Sequence, residues 1–362
     1  MTRLNPIEES SFIEQEFRNY LKYTFNFSDK DYQEQFEKEL DKQSLYKGPY
    51  LNVNLPFIST KSINELIEVG KISPLFKKLK KIDFDRKLYK HQEESLDRIS
   101  NGRNVVITTG TGSGKTESFL YPVLNSILRD IENGNNSPGI RAILLYPMNA
   151  LVNDQIERVR EILSGFPDIK YGCFTGETPE NDKKKSREKV IAEIGSEIPD
   201  NELIYRDDIR ENPPHLLFTN YSMLEYLLIR PNDFKLFTPE YLKNWKFVIM
   251  DEAHTYSGAL GIEVSLLLRR LTGLCDKKPN FLLTSATLGK KGVDEDAIIS
   301  FAESLTSSKF EKEDIIFASR KMIDSDHIKY AISPFLYSQI ENSLSSIDEV
   351  KNIVKKYVNV EN

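Results

Sequence analysis

The chain has 362 residues, 39% hydrophobic and 29% charged, with a net charge of −6. That apolar content supports one substantial core plus accessory segments, and the acidic balance excludes a protein that coats nucleic acid by charge alone. It leaves open a protein that grips a few phosphates in one groove. No apolar run approaches the roughly 18–20 residues of a membrane helix. The start, Met1 to Glu9, carries no apolar signal segment, so a cytoplasmic location without a membrane partner is expected. Cys173 and Cys275 lie far apart and outside any C-x-x-C pair, which reads as two buried free thiols.

In chain order, residues 1–84 read as a helical accessory region. Ile13, Phe17, Tyr20, Leu21 and Phe25 follow helical spacing, as do Tyr32, Phe36 and Leu40. Lys47-Gly48-Pro49-Tyr50 and Leu55-Pro56-Phe57 read as extended connectors. Ser62 with Glu65 fits a capping box, and Gly70 closes the short helix that follows. Lys77, Lys78, Lys80, Lys81, Arg86, Lys87 and Lys90 form a basic stretch that reads equally as a solvated face or a nucleic-acid contact.

Residues 85–320 alternate short apolar runs with amphipathic helices. The predicted strands are Asn104–Thr109, Arg141–Tyr146, Tyr171–Phe174, His215–Thr219, Lys246–Met250, Asn280–Ser285 and Asp314–Phe317. Such alternation implies an α/β fold, a parallel sheet with helices on both faces, whose ligands bind beyond the carboxyl ends of the strands. Residues 179–214 interrupt the alternation and read as a charged surface insertion, with Lys183-Lys184-Lys185 inside it. Residues 321–362, with Ser333–Val358 of mixed polarity, read as a helical tail or linker.

Gly110 to Thr116, between a predicted strand and a predicted helix, is a phosphate loop in its required context. Its backbone N–H groups, from Thr111, Gly112, Ser113 and Gly114 into the helix that Glu117 continues, converge on phosphate oxygens at a helix N-terminus. Lys115 would neutralise the β- and γ-phosphates of ATP, and Thr116 would ligate Mg²⁺. The general motif has glycine where this chain has Thr109. A second apolar strand ends in Asp251-Glu252, which puts a Mg²⁺-binding carboxylate and a water-polarising one at the same sheet edge. Trp245 anchors the strand before Asp251, and His215 and His327 read as structural.

Asp251-Glu252-Ala253-His254, with Ser285-Ala286-Thr287 after the next strand, resembles motifs II and III of superfamily 2 helicases of the DEAD/DEAH-box kind. Tyr89-Lys90-His91-Gln92 resembles the motif that reads adenine, with Gln92 as the base reader. Tyr146 to Leu151, Thr175 to Pro179 and Thr219 to Leu224 resemble the strand-contacting motifs. The resemblance implies the first RecA-like lobe of an ATP-dependent motor. It implies coupling residues His254, Ser285 and Thr287, and a strand path along Pro147, Asn149, Thr175, Gly176, Thr219, Asn220 and Tyr221. The longer run Asp251 to Gly258, with Lys47 to Leu51 and Pro213 to Leu217, is similar to large prokaryotic helicases related to the DNA-repair helicase with a cysteine-rich C-terminal domain, some of which serve in antiphage defence.

The partner implied is single-stranded or partly duplex nucleic acid, with DNA favoured over RNA. Nothing after Thr287 resembles the second RecA-like lobe that carries the γ-phosphate arginines, so that lobe is expected in a longer chain or in another chain. Two readings stand at this stage. One is a nucleic-acid-stimulated ATPase, favoured by the presence together of Lys115, Asp251 and Glu252. The other is a nucleotide-gated binding or assembly subunit without turnover of its own.

Overall fold

The computed structural model describes residues 6–43, 45, 55–110, 112–181, 187–195, 197–287, 289, 292–321, 348, 350 and 352. Thr111, Lys47–Leu51, Lys183–Lys185, His327 and all but a few residues of the expected tail lie outside the described residues. Contacts divide the chain into two units, residues 1–55 and residues 56–362. This division at residue 55 differs from the expected boundary near residue 84. The reason is packing: Ile63, Leu66, Ile72, Phe76 and Leu79 are buried in the same core as the central sheet.

In the first unit, α1 (Pro6–Thr24) and α2 (Lys30–Lys42) pack on each other. Asp29 caps α2 by accepting from the N–H groups of Asp31 and Tyr32. Lys22 pairs with Asp41 at 2.9 Å, and Phe25 meets Phe36 edge to face.

The second unit opens with β1 (Ser59–Ser62), which runs into α3 (Ile63–Glu68) through a capping box of Ser62 and Glu65; Gly70 follows at φ +75°. Strand β2 (Lys87–Tyr89) pairs antiparallel with β1 and leads into α4 (Lys90–Ser100). The main sheet is built from β3 (Val105–Thr108), β4 (Ala142–Tyr146), β5 (Tyr171–Cys173), β6 (Glu202–Leu203), β7 (Leu216–Asn220), β8 (Phe247–Met250), β9 (Asn280–Ser285) and β10 (Ile315–Phe317). Its order is β10-β3-β9-β8-β4-β7-β5-β6, with every pair parallel. The connecting helices are α5 (Lys115–Glu132), α6 (Asn149–Leu163), α7 (Arg187–Ile194), α8 (Arg206–Glu211), α9 (Tyr221–Ile229), α10 (Pro239–Leu242), α11 (Gly258–Thr272) and α12 (Glu295–Thr306).

Both faces of the sheet are covered, so its strands are continuously apolar and alternate between two cores. Val105 and Ile107 join Leu144, Ile249 and Leu282 under α4, α5 and α6. Val106 joins Ile143, Val248 and Leu283 under α9, α11 and α12. Trp245 is buried at the start of β8 and donates its Nε1–H to the Phe247 carbonyl at 2.8 Å. His215 is buried just before β7, and burial pushes its imidazole down to about 3, so the ring stays neutral.

All seven predicted strands are present, and two features of the fold, one in the sheet and one in a helix, were not foreseen. The 179–214 segment is not only a surface insertion. It adds β6 to the sheet edge, and Glu202 receives a two-pronged pair from Arg160 at 2.7 and 2.8 Å, with both side chains buried. A two-residue strand has no periodicity to read in the sequence. Helix α5 also carries Pro122 in its interior. Proline has no N–H for the carbonyl of Ser118, and the Ser95 hydroxyl from α4 donates to that carbonyl instead. This bond fastens the helix carrying Gln92 to the helix carrying Lys115. The two cysteines are free thiols and half-buried rather than fully buried.

Candidate functional site

Because the strands are parallel, their carboxyl ends share one edge, and each motif leaves the sheet there. The strand order sorts them. Strands β3, β9 and β8 lie side by side and end in the glycine-rich loop, Ser285 and Asp251-Glu252. Strands β4, β7 and β5 lie side by side and end at Pro147, Asn220 and Phe174-Thr175.

In the first group, Gly112 and Gly114 adopt φ of +71° and +74°, the left-handed region open to glycine. A Cβ at Gly114 would stand 2.3 Å from Gln92 Nε2. Gln92 spans the loop: its Oε1 accepts from the Tyr89 N–H at 2.9 Å and its Nε2 donates to the Gly114 carbonyl at 3.1 Å. His91 lies beneath, its Nε2 2.9 Å from the Ser113 carbonyl, and burial lowers its pKa. Lys115 Nζ is 2.6 Å from Glu252 Oε1, and the ammonium is largely shielded from solvent.

The acidic pair is held by β9. In register, Met250 faces Leu283, so the next residues, Asp251 and Thr284, face each other. The Thr284 hydroxyl donates to the Asp251 carboxylate and receives the Glu252 N–H at 3.3 Å. Burial pushes the Asp251 carboxyl's pKa up, against the Thr284 hydroxyl and the Lys115 charge, which pull it down. Glu252 is held at φ +49°, ψ +47°, unusual for a residue with a side chain and a form of strain that gathers at functional sites. His254 Nδ1 lies 2.9 Å from Ser285 Oγ and 3.4 Å from Glu252 Oε2. Thr287 is exposed and joins through its N–H, which donates to Ser285 Oγ at 3.1 Å.

Several buried polar atoms around this loop have no hydrogen-bond partner among the described residues: His91 Nδ1, Thr109 Oγ1, Ser113 Oγ, Glu117 Oε2 and Glu252 Oε2. Buried polar atoms are normally paired, so their concentration here fits a site completed by a polar ligand. The donor set fits Mg²⁺ with a phosphate chain: the hard oxygens of Thr116 and Asp251, an ammonium, and a helix N-terminus. Among the described residues no group of three or more His, Cys, Asp or Glu could hold a metal by itself.

In the second group the side chains link to one another. Asn220 Nδ2 donates to Asn149 Oδ1 at 2.7 Å, and Asn149 Nδ2 donates to Glu177 Oε1 at 3.2 Å. Thr175 and Thr219 are buried, and the Thr219 hydroxyl donates to the Phe174 carbonyl at 2.7 Å. Gly176 is exposed, while Pro147 and Tyr221 are half-buried. Arg206, from the 179–214 segment, donates to the Thr175 carbonyl at 2.8 Å. Thr284 and Arg206 were not singled out in the sequence, and His91 stood there only as part of the Tyr89–Gln92 motif. Register with β8 would have found Thr284, whereas Arg206 carried no signal.

The DEAD/DEAH box helicase family profile matches residues 89–295. The Druantia protein DruE of Escherichia coli is 31% identical over 331 residues, covering 67% of this chain and 17% of DruE. The ATP-dependent helicase hrq1 of Schizosaccharomyces pombe is 30% identical, covering 62% of this chain and 19% of its own length. The chain thus spans less than a fifth of either of these relatives. Among solved structures, the DUF1998 helicase MrfA bound to DNA matches with a TM-score of 0.55 at 23% identity, covering 89% of this chain and 44% of MrfA, a likeness of fold. Among the described residues, no helix is long and apolar enough to cross a membrane.

Proposed function

This chain belongs to the DEAD/DEAH box helicase family, and from that premise we propose that residues 85–320 are the ATP-binding lobe of a nucleic-acid-dependent ATPase, a helicase or translocase acting on DNA. The observation that carries the reading is the convergence of Lys115, Asp251 and Glu252 beyond the ends of β3 and β8, the two strands that flank β9, with Lys115 and Glu252 2.6 Å apart. The ammonium is already drawn to negative oxygen where a phosphate chain would lie. Binding replaces Glu252 by phosphate as its partner and frees the carboxylate.

In this reading the N–H groups of Thr111–Thr116 cradle the phosphates, and Gln92 reads the base. Thr116 and Asp251 hold Mg²⁺, which supplies charge neutralisation on the phosphates. Glu252 orients the attacking water. His254, Ser285 and Thr287 carry the state of the site to the strand path along Pro147, Asn149, Thr175, Gly176, Thr219, Asn220 and Tyr221. That path grips phosphate and sugar, so binding tolerates sequence and weakens with salt. A second RecA-like lobe, in a longer form of the chain or in another chain, closes the nucleotide site.

Titration calorimetry with Mg²⁺ and ATP checks the assignment. Lys115→Ala is expected to abolish measurable binding, while Glu252→Gln is expected to bind as tightly as the unsubstituted chain. Unchanged affinity in Lys115→Ala would remove the phosphate-loop assignment.

A further inference from the structure

Helix α8 stands beside the loop that follows β5, and two of its arginines close over that loop. The Arg206 and Arg210 guanidiniums lie 5.3 and 5.7 Å from the centre of the Phe174 ring, the residue before Thr175. Arg210 fastens the helix: its Nε–H donates to the buried carboxylate of Asp233 at 2.7 Å, and it pairs with Glu180 and Asp207. The backbone is tied as well, since the Arg206 and Asp207 N–H groups donate to the Pro179 and Glu180 carbonyls at 3.0 and 3.1 Å. Arg206 is largely buried in this frame. Its Nη2 donates to the Thr175 carbonyl at 2.8 Å and to the Gly176 carbonyl at 3.3 Å.

Where a carbonyl is held, the next amide is aimed. A trans peptide is planar, so the Thr175 carbonyl and the Gly176 N–H point in opposite directions. With that carbonyl turned in to Arg206, the Gly176 N–H is turned away from it. The neighbouring amides are used inside the loop. The Thr175 N–H donates to the Thr178 hydroxyl at 2.9 Å, and the Glu177 N–H donates to the Thr175 hydroxyl oxygen at 3.3 Å. Among the described residues the Gly176 N–H has no such partner. Gly176 is exposed, and a Cβ there would meet nothing within 4 Å. The loop thus offers one backbone donor to an outside acceptor, on the proposed strand path, and a guanidinium on the other side of the same peptide sets its direction.

We propose that Arg206 is a positioning residue for the nucleic-acid strand: by holding the Thr175 and Gly176 carbonyls it aims the Gly176 N–H at a strand phosphate, without touching the strand itself. The inference rests on the strand path proposed above. Backbone N–H groups are ordinary donors to phosphate oxygens, and a donor fixed in advance loses little freedom on binding. A guanidinium suits the task, because its planar fork reaches more than one acceptor while its face rests on an aromatic ring.

Arg206→Met tests it, since the change keeps an apolar stem over Phe174 and removes every donor, while Arg206→Lys restores one donor group. Affinity for a labelled single-stranded oligothymidylate is measured by fluorescence anisotropy over a series of salt concentrations, with Mg²⁺ and a non-hydrolysable ATP analogue present. Calorimetric affinity for that analogue and a thermal melt accompany it. Arg206→Met is expected to weaken strand binding about tenfold or more, the worth of one charge-assisted hydrogen bond. Its salt slope, melt and affinity for the analogue are expected to be unchanged. Arg206→Lys is expected to recover most of the strand affinity. A slope smaller by about 0.7 in Arg206→Met, the loss of one phosphate neutralised on a single strand, would put Arg206 itself on the phosphate and overturn the positioning role. Unchanged strand affinity in Arg206→Met, or Arg206→Lys binding no better than Arg206→Met, overturns the inference and leaves the proposed nucleotide site standing. Early melting of Arg206→Met makes Arg206 a prop of the fold and overturns it as well. If the unsubstituted chain binds no oligonucleotide, the proposed strand path falls and this inference with it.

Discussion

Gly114 concentrates the chemistry of the loop in one missing carbon. Its φ of +74° starts α5, and a Cβ would press on the Gln92 amide 2.3 Å away. An alanine there faces about 1–2 kcal/mol of left-handed strain, and the side chain it displaces is the one that reads the base in the proposed function. Gly114→Ala is therefore expected to lower stability by about 1–2 kcal/mol and to weaken ATP binding at least about tenfold, a loss of some 1.4 kcal/mol. Urea unfolding and calorimetry separate the two effects. A variant with lowered stability and full affinity would show that Gln92 has no part in base binding. The neighbouring Lys115–Glu252 pair was not legible in the sequence. Each residue was marked for its own role by its motif, but a 137-residue separation gives no sign that the ammonium rests on the carboxylate.

At the scale of elements, what could be read was what has a period or a punctuation mark. The strands from β3 to β10 announced themselves as apolar runs, and Ser62, Glu65 and Gly70 framed α3 as capping residues do. β6 did not, because its two residues carry no pattern and one is Glu202, an acid that composition assigns to the surface. Tertiary structure overrides that assignment by giving Glu202 the Arg160 guanidinium and the Tyr171 hydroxyl, the latter at 3.1 Å. Removing one member of a buried pair strands the other charge, at a cost of about 3–5 kcal/mol. Glu202→Ala is expected to lose that much by urea unfolding, whereas Arg160→Met with Glu202→Leu is expected to recover most of it. A cost below about 1 kcal/mol, typical of exposed pairs, would mean that β6 opens to solvent. Burial of this pair also explains how a charged segment stays anchored while Arg206 from the same segment holds the Thr175 carbonyl.

Over the whole molecule, the strand order does the organising. β3, β9 and β8 present the motifs proposed to hold the nucleotide, and β4, β7 and β5 those proposed to follow the strand, so one sheet edge carries both with a single seam between them. The sequence contained the motifs in order, but their division into two neighbouring groups follows from how the chain crosses over, which the order does not encode. In the proposed function this edge meets the nucleotide from one side. At the centre, the carboxylates of Asp251 and Glu252 outnumber the Lys115 ammonium, and Mg²⁺-ATP brings further negative charge. Phosphoryl transfer spreads charge over the γ-phosphate oxygens, and an arginine supplied across the site typically accelerates it about 10³–10⁵-fold. The proposed function assigns that arginine to a second RecA-like lobe. Residues 1–362 alone are then expected to bind ATP and release phosphate slowly, with little response to single-stranded DNA. A second lobe added as a separate chain, or present in a longer form, is expected to raise the rate by a factor approaching that range and to make it depend on the strand. Steady-state phosphate release with and without an oligonucleotide measures both. Brisk, strand-stimulated turnover by the purified 362-residue chain would place the missing positive charge within these residues and remove the need for a second lobe.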